Sequence, residues 1–165
     1  MVVASTDPST SSRWRPLHRL LAAMDDDIAQ IYKDLGISDL KPTWVMELLR
    51  LEAGGPMTIT ELAESTQRTH SAMSQKVSAM QTAGFVRTRP ARDARSKQVT
   101  LTAKARRITG QLAAEWRASE AAIAELESEM PYPLSHAVAD IQRALQRKSF
   151  RERILEHLDH APSAP

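Results

Sequence analysis

The chain is poor in cysteine, aromatic residues and long apolar runs, and each shortage excludes something. Its 165 residues include no cysteine, which rules out disulfides, thiolate metal sites and thiol redox sensing. Aromatic residues make up 4% of the sequence, so alanine, leucine and methionine supply most of the apolar side chains, which favours helix. No apolar run approaches the roughly 20 residues that span a bilayer. Residues 1–12 also lack the pattern of a secretory signal, so a cytoplasmic protein is expected.

The sequence patterns of common catalytic sites are missing as well. There is no glycine-rich phosphate loop, no cysteine nucleophile, and no histidine–carboxylate set at the spacing of zinc hydrolases. We therefore expect a protein that is not an enzyme and that holds no cofactor and no metal. His157 and His160 have the helical i, i+3 spacing that can hold a metal ion, but the sequence favours an ordinary polar tail. The sequence leaves these two alternatives open.

Positive charge is concentrated in one stretch of the chain. Residues 68–107 hold ten lysines and arginines against a single acid, Asp93, for a local charge of +9. The remaining residues hold twelve basic and nineteen acidic side chains, a balance of −7. The net charge of +2 therefore conceals a strongly basic segment on an acidic body. Such a distribution is typical of a surface that binds a polyanion.

Hydrophobic periodicity predicts helices on both sides of this basic stretch. An amphipathic helix is expected at 14–36, and a long one, capped by Thr102, runs to about residue 130 with Glu115 on its outer, acidic face. Further helices follow the prolines at 131 and 133. A capping box at Ser149 and Glu152 marks the start of the last one. This last helix is expected to bury four apolar side chains, Phe150, Ile154, Leu155 and Leu158.

Between the outer helices, the pattern changes from helical to extended. Five segments are predicted in order: helices at 42–54, 60–64 and 69–83, then strands at 85–89 and 97–101. Thr69 is the expected cap of the third helix, whose inner stripe is Ala72, Met73, Val77 and Met80. Two helices joined by a short turn and followed by a basic hairpin describe a winged helix-turn-helix. The predicted fold is therefore mainly α with a small β-hairpin wing.

This arrangement fits double-stranded DNA. The major groove is about as wide as one α-helix, and the second helix of the pair presents short polar side chains at its N-terminal end. Gln75 is the best candidate for a base contact, because a carboxamide can pair bidentately with adenine. Asp93 is expected to pair with a nearby arginine and shape the hairpin tip. The predicted DNA-binding residues are Arg68, Thr69, His70, Ser71, Ser74, Gln75, Lys76, Ser78, Arg92, Asp93, Arg95 and Lys97.

Within residues 57–105 the chain resembles the multiple-antibiotic-resistance regulator (MarR) family of bacterial transcription factors. The matching motifs are Glu61-Leu62-Ala63, Ala72-Met73-Ser74, Gly84-Phe85-Val86 and Asp93-Ala94-Arg95-Ser96-Lys97-Gln98-Val99-Thr100-Leu101-Thr102. Gln67 departs from the pattern, because the family often has glycine at this point of the turn. The resemblance implies a homodimer that binds a pseudo-palindromic operator and a small-molecule pocket between the dimer helices and the DNA-binding lobe.

The resemblance also implies a division of the chain. Residues 40–102 would form the DNA-binding domain, and residues 13–36 and 103–159 a helical dimerisation region. Composition, not the resemblance, predicts a disordered tail at residues 1–12, which are rich in serine and threonine, and a tail at residues 160–165. Tyr32, Trp44 and Trp116 are candidate pocket residues, although aromatic residues at helical spacing are commonly core. The predicted function is a homodimeric repressor relieved by a small-molecule effector. The alternative is a helical ligand-sensing or interaction protein whose winged lobe binds an acidic protein partner.

Overall fold

The computed structural model describes residues 7, 10–37, 39–90 and 97–159 of the chain. The elements, in chain order, are α1 (Arg15–Asp34), a 3₁₀ helix (Pro42–Trp44), α2 (Val45–Gly54), β1 (Met57–Thr58), α3 (Ile59–Ser65), α4 (His70–Thr82), β2 (Val86–Pro90), β3 (Lys97–Leu101), α5 (Ala103–Ser128), α6 (Leu134–Arg147) and α7 (Phe150–Asp159). This order confirms the mainly α fold with a winged helix-turn-helix. None of the helices in the described part of the chain is long and apolar enough to cross a bilayer.

The strands form one small antiparallel sheet in the order β1-β3-β2. Val86 pairs with Leu101 at one end of the predicted hairpin, and Pro90 pairs with Lys97 at the other. β1 adds a third strand, since Met57 pairs with Val99. β1 was not predicted, because a strand of two residues is too short to show an alternating pattern.

The chain divides into two compact units, Met1–Trp116 and Arg117–Pro165. A single hydrophobic core fills the first unit, where the inner faces of α2, α3 and α4 meet the sheet and the start of α5. Its fully buried side chains include Leu48, Leu62, Met73, Met80, Phe85, Val99 and Leu112. Aromatic packing contributes at one point, where Trp44 meets the Phe85 ring edge-on at 6.1 Å between centroids.

A buried hydrogen bond links α1 to α5 within the first unit. Tyr32 is buried, and its hydroxyl donates to the carboxylate of Glu115. Burial, followed by this bond, raises the pKa of Tyr32 well above its ordinary value, so the phenol stays protonated at neutral pH. The prediction that Glu115 lies on the outer face of α5 was wrong, because this carboxylate turns toward α1.

The second unit contains the end of α5 together with α6 and α7. The predicted capping box is present: Ser149 Oγ accepts from Glu152 N at 3.2 Å, and Ser149 N donates to Glu152 Oε2 at 2.7 Å. No residue of α6 or α7 is buried, although both helices are described throughout. The prediction that α7 buries its apolar side chains was therefore wrong for the single chain. Phe150 is 67% exposed, because no described element of this chain covers that face.

Candidate nucleic-acid interface

A tight turn joins α3 to α4 and sets the direction of the second helix. Thr58 and Glu61 form a reciprocal capping box at the start of α3. At the other end, Arg68 N donates to Ala63 O at 2.9 Å, which closes the turn. Gln67 adopts a left-handed conformation there, with φ of 53°, a region that favours glycine. The position where the family often has glycine is thus one where a glycine would relieve strain.

The first turn of α4 begins at the predicted cap. Thr69 Oγ1 accepts from Ala72 N at 3.3 Å, and Thr69 has extended backbone geometry. The side chains of His70 and Ser71 are exposed beside it. The helix N-terminus, with its unpaired backbone N–H groups and partial positive charge, can therefore face an anion such as phosphate.

α4 has a buried apolar face and, on the opposite side of the helix, an exposed polar face. Met73 and Val77 are at most 2% exposed and face the core, as predicted. At about 100° per residue, Ser71, Gln75 and Ser78 fall on the opposite side of the helix, and all three are exposed. These side chains are short or flexible, so a groove wall can approach the helix backbone closely.

Two residues of α4 lie differently from the sequence-based prediction. Ala72 was placed on the inner stripe but is exposed, because the core is filled by the larger side chains at 73, 77 and 80. Ser74, assigned to the outer face, is half-buried at the edge of the helix. The exposed polar face is therefore centred on Gln75 and is narrower than the sequence pattern indicated.

Lys76 is held within the protein. Its ammonium group donates to Glu47 Oε1 at 2.8 Å and to the backbone carbonyl of Thr43 at 2.6 Å. The side chain of Lys76 is 14% exposed and that of Glu47 is 1% exposed. Lys76 was predicted to be one of the DNA-facing cations, whereas both acceptors of its ammonium group lie on the neighbouring helical segment. No feature of the sequence indicated that Glu47 is buried and paired. From the sequence alone it resembles an ordinary exposed acid near the start of α2.

A second lysine of the basic stretch closes the other end of α4. Lys104 Nζ donates to Ala83 O at 3.1 Å and lies 4.3 Å from the centre of the Phe85 ring. A cation at this place complements the negative end of the helix dipole and satisfies a carbonyl left free by the last turn. Gly84, with φ of 77°, then turns the chain into the wing.

The wing carries exposed cations along its strands. Arg87 and Arg89 on β2 and Lys97 at the start of β3 are all exposed. Arg87 also lies over β3, where its Nε donates weakly to Thr100 Oγ1 at 3.4 Å. Three predicted contacts at the tip, Arg92, Asp93 and Arg95, lie outside the described residues.

The candidate pocket residues divide into core and cleft. Tyr32 and Trp44 belong to the hydrophobic core, so packing explains their burial, and their pocket-lining role stays a prediction. Trp116 is half-buried and lines an open cleft of about 200 Å³ with four residues of α2, namely Met46, Leu49, Arg50 and Ala53. Arg50 is the charged group of this otherwise apolar cleft.

The part of the chain that the structure describes shows no group of three histidines and carboxylates able to hold a metal ion. His157 lies in α7, and its predicted partner His160 falls outside the described residues. The metal alternative for this pair stays a prediction.

Comparison with known proteins gives the winged segment a family. Residues 38–96, from the approach to α2 through β2 and into the following connection, match the model described as MarR family. Over this segment the chain is similar to the MarR family. Members of the family are transcription regulators, so the prediction that the chain is not an enzyme is confirmed. No curated protein matches the chain.

Solved structures share the MarR-family fold at low sequence identity. The transcriptional regulator MosR of M. tuberculosis, in complex with DNA, is 20% identical, with a TM-score of 0.59 over 83% of this chain and 98% of that one. The MepR–DNA complex of S. aureus is 16% identical, with a TM-score of 0.60 over the same shares. The transcriptional regulator SlyA is 15% identical, with a TM-score of 0.58 over 88% of this chain and 99% of that one.

Proposed function

We propose that this protein is a homodimeric transcription regulator that binds a pseudo-palindromic DNA operator in the cytoplasm. One observation carries the proposal: α4 presents the exposed polar side chains of Ser71, Gln75 and Ser78 directly opposite its buried stripe. An α-helix with that face fits the major groove, where base edges offer distinct donors and acceptors. MosR and MepR, which share the fold, are DNA complexes in their solved structures.

The proposed contacts differ in what they meet on the DNA. Gln75 reads a base edge, while Arg68, Thr69, His70 and Lys97 lie exposed on either side and meet the sugar-phosphate backbone. Ser71, Ser74 and Ser78 line the approach of α4 to the groove. At the wing tip, Arg92 and Arg95 retain their predicted role, which is to enter the adjacent minor groove, and Asp93 retains its role of pairing with a nearby arginine and shaping the tip.

The unpartnered apolar faces support assembly into a dimer. Leu20 and Leu21 of α1 are about half exposed, and α7 exposes Phe150 and Leu158 more strongly. Isolated exposed leucines are common, but rows of them on amphipathic helices mark interaction surfaces. In our proposal, residues 13–36 and 103–159 form the dimerisation region and residues 40–102 the DNA-binding domain.

We assign the regulatory part of the proposal to the cleft beside Trp116. It is lined by α2, and α2 packs in the same core as α4. A small molecule that fits the cleft better in one arrangement of the dimer than in another would shift the population and release the operator. Such release would make the protein a repressor relieved by an effector.

Selection from a pool of random duplexes by the purified protein tests the central proposal. A preferred duplex should emerge that binds on the order of 10³-fold more tightly than random competitor. If each subunit neutralises about four phosphates, the logarithm of affinity should fall with the logarithm of salt at a slope near −7. The absence of any preferred duplex would reject DNA recognition and favour the alternative, in which the winged lobe binds an acidic protein.

A pair of glutamines on α4 tests the assignment of base contact. Gln75→Ala should lose about 1–3 kcal/mol of preference at one base pair of the selected duplex. Gln81→Ala is the matched control, because Gln81 is exposed on the same helix but lies near its C-terminal end. Equal effects of the two substitutions on every sequence would remove Gln75 from the base-reading role.

A further inference from the structure

We infer that Lys76 and Glu47 form an internal lock that sets the orientation of α4, and that Lys76 contacts no phosphate. Lys76 is next to Gln75 in the chain, so its position fixes where the proposed base-reading side chain points. The inference rests on the proposed function, because it concerns how the reading helix is held against the groove.

The contacts of Lys76 commit its ammonium group to acceptors of the protein itself. Its two acceptors are Glu47 Oε1 at 2.8 Å, in the first turn of α2, and Thr43 O at 2.6 Å, in the 3₁₀ helix just before α2. Among the described contacts, Lys76 is the residue of α4 whose side chain makes hydrogen bonds to Thr43 and Glu47. α4 is therefore tied to α2 by directional bonds in addition to apolar packing, which is not directional.

Burial makes the lock costly to open. Glu47 is 1% exposed, and its second oxygen, Oε2, has no hydrogen-bond partner among the described residues. If the lysine swung outward to a phosphate, it would leave a buried carboxylate with neither cation nor donor, a state that proteins strongly disfavour. An ion pair between Lys76 and a phosphate at the protein surface would recover less free energy than the unpaired carboxylate costs, since an exposed ion pair in a medium of high dielectric constant is weak.

The position of Lys76 on α4 explains how the ion pair controls the rotation of the helix about its own axis. At about 100° per residue, Lys76 lies on the flank of the helix, roughly 60° from the buried stripe and about 100° from Gln75. A rotation of α4 about its own axis would break the bonds to Glu47 while leaving the helix able to pack its methionines, which are adaptable core side chains. The ion pair therefore selects one rotation of the helix, and that rotation aims Gln75 outward.

The alternative, in which Lys76 binds phosphate, makes opposite predictions for salt dependence. Loss of one phosphate contact lowers the steepness of the salt dependence by about 0.9 and affects all duplexes alike. Loss of a positioning contact leaves the slope unchanged and lowers the preference for the selected duplex over random DNA.

The test compares Lys76→Met, Glu47→Leu and the double variant, using the duplex selected from the random pool and a random-sequence duplex at several salt concentrations. Each single substitution should reduce the ratio of the two affinities by about tenfold, with the salt slope unchanged. The double variant should lose no more than the worse single variant, because residues that act through one contact are not additive. Lys97→Met, which removes an exposed cation of the wing, is the phosphate control and should lower the steepness of the slope by about 0.9.

Glu47→Gln guards against a folding defect in the other variants. It keeps the shape and one hydrogen-bond acceptor but removes the charge, and thermal unfolding checks that each variant is folded. The lock predicts a loss of selectivity of about threefold for Glu47→Gln with no change in slope. Unchanged selectivity in this variant would overturn the inference.

The inference and the proposed function fail in different ways. Lys76→Met could still bind DNA selectively but show a shallower salt slope, with or without the Glu47→Leu substitution. That result would overturn the lock alone. A protein that prefers no duplex at all would overturn the proposed function, and the inference would fall with it.

Discussion

The winged helix of the first unit and the helices α6 and α7 of the second unit use the same amphipathic pattern with different results. In α4, the apolar side chains at 73, 77 and 80 are at most 2% exposed. In α7, Phe150 and Leu158 are 67% and 63% exposed, although they recur at helical spacing in the same way. Both regions are well-formed helices with side-chain caps at Thr69 and Ser149.

The difference separates folding from assembly. Apolar area stabilises a protein only when it leaves water, by about 25 cal/mol per Å². The winged helix of the first unit removes its core side chains from water within one chain, so its stability should depend on its own core. The second unit keeps them in water, so its stability should depend on a partner, which we propose is a second copy.

The largest expected effect comes from the core of the first unit. Leu48→Ala should lower the free energy of unfolding by about 2–5 kcal/mol, because Leu48 is fully buried and its loss leaves a cavity. Met46→Ala, two residues earlier in α2 and partly exposed, should cost less than about 1.5 kcal/mol. Denaturant unfolding of both variants measures the difference. Equal losses would show that the core does not dominate this region.

The next effect tests whether a second copy covers the exposed faces. Ile154→Gln on the apolar side of α7 should weaken dimer association by about tenfold or more, because interface side chains that leave water carry most of the binding energy. Sedimentation over a range of protein concentrations measures the dissociation constant. Arg151→Gln, on the exposed polar side of the same helix, should change it little. A chain that stays monomeric at all concentrations would break the comparison, because the exposed faces would then need another partner.

A smaller effect is expected at the turn before α4. Gln67→Gly should stabilise the protein by about 0.5 kcal/mol, since relief of the left-handed backbone exceeds the added entropy of the unfolded chain. Gln67→Val should destabilise it by about 1–2 kcal/mol, because a β-branched residue is poorly tolerated at positive φ. Thermal unfolding of the two variants measures whether each substitution stabilises or destabilises the protein. Stabilisation by valine would contradict the strain argument.

The smallest effect is a pH dependence that should be alike in the two regions, because capping is local. The backbone N–H and then the hydroxyl of Thr58 hold the pKa of Glu61 below its usual value of 4.5, and the hydroxyl and then the backbone N–H of Ser149 hold the pKa of Glu152 below it. Because these folded-state pKa values are lowered, the stabilisation is present above the ordinary pKa and is lost as pH falls through the folded value.

Unfolding measured from pH 6 to pH 3 should therefore show Glu61→Gln and Glu152→Gln less stable than the unaltered protein at the upper end. The difference should shrink toward the lower end. Glu64→Gln, an exposed neighbour in α3, is the control for removing a carboxylate outside a capping box. A gap that widens as pH falls would reverse the expected sign.

Local chemistry made many elements predictable. Thr69, Thr102 and Ser149 were identified as caps from their side chains, and each accepts a hydrogen bond from the backbone three residues on. The change of period after Gly84 predicted the hairpin, and its strands pair in register. These signals depend on residues close in sequence, so they survive without knowledge of the fold.

Contacts between distant residues were not predictable in the same way. Glu47 and Lys76 are 29 residues apart, and each alone resembles a solvated surface charge. Lys104 shows the same difficulty, because its partners at the end of α4 lie 19 and 21 residues earlier. The basic stretch was correctly located, but the number of its cations available to a polyanion depends on which ones the protein itself binds.

By itself, the sequence determined the helices, the hairpin, the caps and the basic character of one segment, because these follow from local geometry and composition. The tertiary structure decided which amphipathic faces are buried, which lysines are held internally and which side chain of α4 points outward. Those outcomes depend on contacts between residues that are distant in the sequence. Burial or pairing at such a contact changes the energy of a charged group far more than the residues next to that group in the sequence do.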